Sequence, residues 1–182
     1  MDKLHPDLNR VIVSEEQIGK RVEELAHQLS LDYAHADRLF LIGILKGAFI
    51  FLADLARRLT IPHVVDFMAV SSYGDSAQAA GAVRLLMDVR EPLEGEHVLI
   101  VEDIVDTGQT VAYLNQTLSG RSPASIKTCA FLRKQLEGRQ PKVDYLGFEI
   151  PDVWVVGYGL DYADRHRTLP FVAELKREVY QD

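Results

Sequence analysis

Short apolar segments that alternate with helical segments are the strongest constraint on the fold of this chain. Residues 38–45 read RLFLIGIL and residues 97–101 read HVLIV, so apolar side chains stand at consecutive positions. A strand that is apolar at consecutive positions needs cover on both faces, as the strands of a parallel sheet have. The alternation therefore predicts an α/β fold, in which helices flank a central, mostly parallel sheet.

The remaining segments follow the same pattern. Residues 14–17 read SEEQ, a capping box, and the apolar residues that follow fall on one helical face. Further strands are predicted at residues 64–70, 125–132, 145–150 and 153–158, and further helices at residues 48–59 and 109–118. Residues 73–82 are small, polar and rich in glycine, which indicates a mobile loop. No repeat or long linker interrupts the pattern, so residues 1–182 are expected to form one domain.

The composition is typical of a soluble globular protein. Hydrophobic residues make up 47% and charged residues 26%, and no apolar run approaches the ~20 residues of a membrane-spanning helix. The first residues, MDKLHP, lack the apolar core of a signal peptide. A single cysteine, Cys129, excludes a disulfide within the chain. We therefore expect a cytoplasmic protein that has no membrane partner.

The charge distribution argues against nucleic acid as a partner. The net charge is −7, and the 20 Lys and Arg residues are dispersed along the chain instead of forming a basic cluster. Binding to a phosphate backbone usually needs such a basic face. An anionic small ligand would have to be held by a few selected cations or by a metal ion.

The segment VLIVEDIVDTGQTV, residues 98–111, places two adjacent acids directly after an apolar strand. A carboxylate in apolar surroundings costs several kcal/mol unless it is paired or solvated. Glu102 and Asp103 are therefore expected at the end of this strand, where the chain meets water or a ligand. In parallel sheets, ligands bind at the carboxyl ends of the strands.

The loop after these acids is predicted to bind phosphate. Residues 106–110, DTGQT, lead into a helix, whose first N–H groups are unpaired and carry partial positive charge. Thr107 and Thr110 add hydroxyl donors, and Gly108 lets the backbone approach a ligand closely. The alternative interpretation is that Asp106 or Thr107 only caps the helix.

The acid pair narrows the choice of ligand. Two carboxylates beside a phosphate site would repel the phosphate unless they bind sugar hydroxyls or Mg²⁺, and a phosphorylated ribose with a hard divalent ion meets both needs. A solvated acidic turn is the alternative.

Other nucleotide-binding motifs are not present. Tyr162 stands at the position where a dinucleotide-binding fingerprint needs its third glycine, and the residues around Lys46 do not have the spacing of a Walker motif.

Two segments carry a resemblance to a known family. VLIVEDIVDTGQT, residues 98–110, resembles the phosphoribosyl pyrophosphate (PRPP) motif of type I phosphoribosyltransferases. GFEIPDVWVVGYGLDY, residues 147–162, is similar to the C-terminal signature of the hypoxanthine-guanine branch. LKG at residues 45–47, SSYG at residues 71–74 and Arg167 follow in the family's order.

The resemblance implies the fold and the reaction of that family. The fold has a central sheet, a small hood region and a flexible active-site loop. The enzyme would be a purine salvage transferase that uses Mg²⁺. It would transfer the 5-phosphoribosyl group of PRPP to N9 of hypoxanthine or guanine, giving inosine monophosphate (IMP) or guanosine monophosphate (GMP) and pyrophosphate. The family forms homodimers or homotetramers.

The resemblance also assigns residues by position. Those implied to bind PRPP or pyrophosphate are Lys46, Gly47, Ser72, Tyr73, Glu102, Asp103, Thr107, Gly108, Gln109, Thr110 and Arg167. Glu102, Asp103 and Asp161 would hold Mg²⁺, and Asp106 would be the acid–base catalyst at purine N7. The Lys46–Gly47 peptide would contact pyrophosphate, and the corresponding peptide is often cis in this family.

The resemblance implies a purine site formed by four residues. Lys134 would donate a hydrogen bond to the 6-oxo group, and Trp154 would stack on the base. Val155 would contact the base through its backbone, and Asp161 would reach its amino edge. Two alternatives stay open: a xanthine-preferring transferase, and an RNA-binding regulatory protein on the same fold.

Overall fold

The computed structural model describes residues 4–72, 83–138 and 141–181, and six of its strands form the main sheet. These strands are β2 (Leu39–Leu45), β3 (His63–Ser72), β4 (Val83–Met87), β5 (His97–Val105), β6 (Ser125–Lys134) and β7 (Tyr145–Ile150). Their order across the sheet is β4-β3-β2-β5-β6-β7, and every neighbouring pair is parallel except β3 and β4. The predicted α/β fold with a mostly parallel sheet is confirmed.

Helices cover both faces of the main sheet. They are α1 (Glu15–Asp32), α2 (Phe49–Ala56) and α3 (Gln109–Ser119). On β2, Leu39 and Leu41 pack against α1 and α2, whereas Phe40 and Ile42 lie in the core beneath α3. Consecutive side chains of a strand point to opposite faces, so a doubly covered strand is apolar throughout.

The predicted helix boundaries hold at the start of α1 and fail at the end of α2. The Gln17 backbone N–H donates to Ser14 Oγ at 3.2 Å, and the Ser14 N–H donates to Gln17 Oε1 at 2.8 Å, which is the expected capping box. Helix α2 ends at Ala56 instead of residue 59, because Arg58 and Leu59 already form tighter turns.

A second sheet of three strands, here called the hood sheet, stands beside the carboxyl end of the main sheet. Its strands are β1 (Leu8–Val13), β8 (Val155–Val156) and β9 (Val172–Leu175), in the antiparallel order β1-β9-β8, and a short helix α4 (Arg177–Tyr180) follows. The sequence predicted a hood region but neither β1 nor β9, and it predicted β8 too long, as residues 153–158.

The end of β5 was predicted wrongly. This strand does not stop before the acids but continues through them to Val105, because β6 also continues and pairs Ala130 with Glu102 and Leu132 with Ile104.

Within the described residues, no helix is long and apolar enough to cross a membrane.

Candidate active site

A cleft of about 260 Å³ opens where the carboxyl ends of β5 and β6 face the hood sheet. Its lining combines acids, one lysine, one tryptophan and aliphatic side chains: Asp103, Ile104, Asp106, Lys134, Val153, Trp154, Val155, Leu160 and Asp161. The residues predicted for PRPP and those predicted for the purine therefore meet in one cleft. It lies at the edge where parallel sheets bind ligands.

The predicted phosphate loop forms a smaller hollow of about 80 Å³ next to this cleft, lined by residues 104–111. Helix α3 begins at Gln109 after Gly108, whose φ of 80° lies in the left-handed region that glycine adopts without strain. A Cβ atom at Gly108 would also lie 2.6 Å from the Pro141 side chain. Neither Asp106 nor Thr107 caps α3, so the alternative interpretation as a simple helix cap is wrong.

Within the acid pair, Glu102 is only 4% exposed, so the alternative of a solvated acidic turn is also wrong. Burial, and then the neighbouring Asp103 charge, raise the pKa of Glu102 well above its usual range. Burial also raises the pKa of Asp103, although its carboxylate accepts a hydrogen bond from the Ile104 N–H at 2.8 Å and lies near Arg167. Removing water from two adjacent carboxylates favours their protonated forms unless a cation compensates them.

Gly47 brings the turn after β2 into contact with these acids. A Cβ atom at this position would overlap the Asp103 carboxylate, so only glycine allows this approach. The peptide bond before Lys46, between Leu45 and Lys46, is cis. The resemblance left open whether the Lys46–Gly47 peptide is cis, and the observed cis bond lies one position earlier in the chain.

The two predicted pyrophosphate-binding cations share one acid that the sequence did not single out. Lys46 Nζ and Arg167 Nη2 each lie 3.1 Å from Asp164 Oδ1. Arg167 Nη2 also lies 2.6 Å from Asp161 Oδ1, and Nη1 donates to the Gly159 carbonyl at 2.6 Å. Hydrogen bonds from Lys46 and then Arg167 lower the pKa of Asp164. Both cations are thus held beside the cleft by anionic oxygens.

Lys134 stands between two carboxylates at the mouth of the cleft. Its Nζ lies 2.9 Å from Asp152 Oδ1 and 3.5 Å from Asp106 Oδ2. The sequence predicted Lys134 and Asp106 but not Asp152, because an exposed acid after a strand carries no distinguishing pattern. The arrangement fixes one donor and one acceptor side by side.

Trp154 forms the aromatic wall of the cleft and remains 44% exposed. The Tyr180 ring lies against it with centroids 5.3 Å apart and planes at 31°, while the Tyr162 ring meets it edge-on at 5.6 Å and 90°. The Trp154 carbonyl accepts a hydrogen bond from the Leu175 N–H at 2.8 Å, which fixes the residue to β9. The buried residue Val155 follows in β8.

Ser72 and Tyr73 were predicted to lie on the active-site loop. Ser72 ends β3 and pairs with Val83, but the loop of residues 73–82, which includes Tyr73, lies outside the described residues. The apolar lining side chains Ile104, Val153 and Leu160 were missed as site residues, because aliphatic residues beside a strand look like core.

The acids suit Mg²⁺ by their chemistry. Mg²⁺ binds oxygen ligands, usually one or two carboxylates together with substrate phosphates. Glu102 and Asp103 supply adjacent carboxylates, and burial raises the pKa of both. Asp161 lines the same cleft.

Residues 11–163 match the phosphoribosyl transferase domain family. The hypoxanthine-guanine phosphoribosyltransferase of Dictyostelium discoideum is 45% identical over 176 residues, which cover 94% of this chain and 97% of that protein. The protein of the same name from Bacillus subtilis is 45% identical over 177 residues, covering 96% and 97%. These relatives favour neither the RNA-binding nor the xanthine-preferring alternative.

Solved structures agree with this similarity. A Staphylococcus aureus hypoxanthine phosphoribosyltransferase superposes with a TM-score of 0.91 at 38% identity, covering 100% of both chains. The Trypanosoma cruzi hypoxanthine phosphoribosyltransferase in complex with the product IMP gives a TM-score of 0.88 at 41% identity, covering 98% of this chain and 100% of that chain. The chain has the type I phosphoribosyltransferase fold and belongs to the phosphoribosyltransferase family.

Proposed function

We propose that this protein is a purine salvage enzyme that transfers the 5-phosphoribosyl group of PRPP to N9 of hypoxanthine or guanine, with Mg²⁺ as cofactor. The observation that carries the proposal is the cleft itself. The cleft is lined by Asp103 of the acid pair and adjoins the predicted phosphate loop, residues 106–110. It is also lined by Lys134 and by the exposed Trp154, which can receive a base. Each half fits one of the two substrates.

The PRPP half is proposed to work by placing charge. The backbone N–H groups and hydroxyls of residues 107–110 bind the 5′-phosphate, while Glu102 and Asp103 bind the ribose hydroxyls. Lys46, Gly47 and Arg167 bind the pyrophosphate group. Glu102, Asp103 and Asp161 would hold Mg²⁺, which would supply positive charge to neutralise the leaving group.

The base half is proposed to select a 6-oxopurine. O6 and N7 lie on the same edge of such a base. Lys134 Nζ and Asp106 Oδ2, 3.5 Å apart, present a donor and an acceptor to that edge. Trp154 stacks on the ring, the Val155 backbone contacts it, and Asp161 faces its amino edge.

The bond changes follow from this placement. The C1′–O bond to pyrophosphate breaks, and its electron pair leaves with pyrophosphate. N9 of the base forms the new bond to C1′, while the N7 proton passes to the Asp106 carboxylate. Lys46 and Arg167 stabilise the charge that develops on the departing group. Closure of the loop that follows Ser72 and includes Tyr73 would keep water from the activated sugar.

Turnover of four bases with PRPP and Mg²⁺ tests the proposal: hypoxanthine, guanine, xanthine and adenine. Hypoxanthine and guanine should yield IMP and GMP with stoichiometric pyrophosphate, and omission of Mg²⁺ should abolish both. Xanthine turned over faster than hypoxanthine would favour the xanthine-preferring alternative. No turnover of any base would contradict the enzymatic proposal.

We also propose that residues 1–182 form one domain in a cytoplasmic homodimer or homotetramer. The free cysteine Cys129 is buried and suits a reducing compartment. Leu31 is 64% exposed and Leu86 is 61% exposed, which leaves apolar surface available for a second copy of the chain. Light scattering after gel filtration distinguishes monomer, dimer and tetramer.

A further inference from the structure

Three side chains on the hood, separate from the residues that line the cleft, converge on a common point. They are His5, Asp7 and His166, each of which offers one ligand atom, and these atoms lie within 4.8 Å of one another. Asp7 Oδ2 lies 3.0 Å from His166 Nε2 and 3.5 Å from His5 Nδ1. The two imidazole rings meet edge-on, with centroids 4.8 Å apart.

These separations match those between the ligands of a tetrahedral metal ion. Zinc binds imidazole nitrogen and carboxylate oxygen at ~2.0–2.2 Å, so neighbouring ligand atoms of a tetrahedral site lie roughly 3.3 Å apart. The Asp7–His166 and Asp7–His5 separations bracket this value. The two histidine nitrogens lie within 4.8 Å of each other. His5 Nδ1 accepts the Asp7 N–H at 3.3 Å, so this nitrogen is unprotonated and would exchange a long hydrogen bond for the metal.

The backbone holds the three residues in place without a metal. The Leu8 N–H donates to the His5 carbonyl at 2.9 Å, and the Lys176 N–H donates to the Asp7 carbonyl at 2.9 Å. His166 has a φ of 67°, a left-handed conformation that few residues other than glycine adopt. Its side chain is only 10% exposed, whereas that of His5 is 52% exposed. The pair of histidines is therefore arranged by the fold, and one side remains open to a fourth ligand.

We propose that His5, Asp7 and His166 form a binding site for a transition-metal dication of the zinc class, with water as the fourth ligand. Two imidazoles and one carboxylate suit zinc or its neighbours, whereas Mg²⁺ prefers oxygen ligands alone. The site goes beyond the proposed catalytic function and uses none of its residues. The ion would join the segment before β1 to the segment between β8 and β9, in which His166 directly precedes Arg167.

Calorimetric titration of tag-free full-length protein with zinc chloride tests this site. Excess Mg²⁺ is present throughout, so that the acids of the cleft do not bind zinc. The wild type should bind one zinc ion per chain, and its melting temperature should rise with zinc concentration. His5→Gln and Asp7→Asn should each weaken binding by at least about tenfold, since even partners of metal ligands contribute that much.

His27→Gln is the matched control, because His27 is exposed on α1 and belongs to no such group among the residues that the structure describes. It should bind zinc as the wild type does. His166→Asn tests the third ligand, since Asn tolerates the left-handed conformation. If it does not fold, the His5 and Asp7 variants decide the question alone. Zinc binding that is undetectable in the wild type, or unchanged in both of those variants, would overturn the proposal.

Discussion

The main sheet and the hood sheet form opposite sides of one cleft, but they are assembled by different routes. On the main sheet, the acids and the phosphate-type loop come from one continuous stretch, the end of β5 and the start of α3. The hood sheet instead pairs Leu8 with Leu175 and Val155 with Glu174, so its strands come from distant parts of the chain.

The two sides also differ in chemistry. The main-sheet side contributes the charged groups Asp103, Asp106 and Lys134, whereas the hood side contributes Trp154, Val155 and Leu160 together with one acid, Asp161. This difference suggests a division of the reaction. Asp106 and Lys134 on the main-sheet side direct proton transfer and base identity, and the mostly apolar lining of the hood side holds the ring. Variants on the two sides should therefore change different kinetic constants.

The largest expected effect concerns Lys134, the donor proposed for the 6-oxo group. A site built around such a hydrogen bond rejects a base that lacks the acceptor by about 10⁴-fold. The wild-type kcat/KM for adenine should therefore lie about that far below the value for hypoxanthine. Lys134→Ala should severely lower turnover of hypoxanthine and guanine and reduce this preference. Steady-state assays with each base measure both effects.

Lys142→Ala is the matched control for this variant, because the Lys142 side chain is 90% exposed and belongs to no part of the cleft. It should behave as the wild type. Comparable wild-type rates with adenine and hypoxanthine would remove Lys134 from base selection.

Asp106 should show the second-largest effect, and it should act on kcat. Asp106→Asn keeps the shape of the side chain but removes the proton acceptor, so kcat should fall by roughly 10²–10⁴-fold. PRPP binding should survive, because the N–H donors of the loop are unchanged. Asp37→Asn, an exposed acid just before β2, is the control. A kcat near that of the wild type would place Asp106 outside the chemistry.

Trp154 should show a smaller effect, confined to the base. Loss of base–aromatic stacking costs about 1–3 kcal/mol, which corresponds to roughly five- to 150-fold in affinity. Trp154→Ala should raise KM for hypoxanthine by this factor and KM for PRPP much less, while Trp154→Phe should stay close to the wild type. Equal increases for both substrates would break the proposed division between the two sides.

The smallest effect is expected at Asp164, which pairs with both Lys46 and Arg167 and is 73% exposed. Exposed ion pairs contribute about 0–1 kcal/mol, so Asp164→Asn should strengthen pyrophosphate binding by no more than about fivefold. The reason is that both cations lose a competing anion. Calorimetry with pyrophosphate measures the change, and weaker binding by the variant would show that Asp164 positions the cations instead of competing for them.

Much of the main sheet could be predicted from the sequence because its signals are local. An apolar run such as residues 38–45 predicts a doubly covered strand, and the Ser14–Gln17 box predicts where α1 begins. The length of β5 could not be predicted from its own residues. Its continuation past Glu102 depends on β6, which supplies backbone partners for a segment that looks too polar for a strand.

The hood and the ion pairs depend on distant residues, so the sequence pattern does not reveal them. Strands β1 and β9 are short and stabilise each other only after the chain ends meet. Asp152 and Asp164 look like ordinary exposed acids, and only the folded chain brings them to Lys134, Lys46 and Arg167. The motif residues of the cleft were identified from a family resemblance, whereas these partners carry no motif.

The fluorescence of Trp154 tests the division between the two sides most directly, because it is the only tryptophan in the chain. One face of the ring lies against Tyr180, while 44% of the residue remains exposed at the cleft. Titration with IMP or GMP should change its emission saturably, whereas pyrophosphate alone, proposed to bind Lys46, Gly47 and Arg167 instead of the ring, should leave it nearly constant. If calorimetry shows that IMP is bound while the emission of Trp154 stays unchanged, the base does not lie against the hood and the account is contradicted.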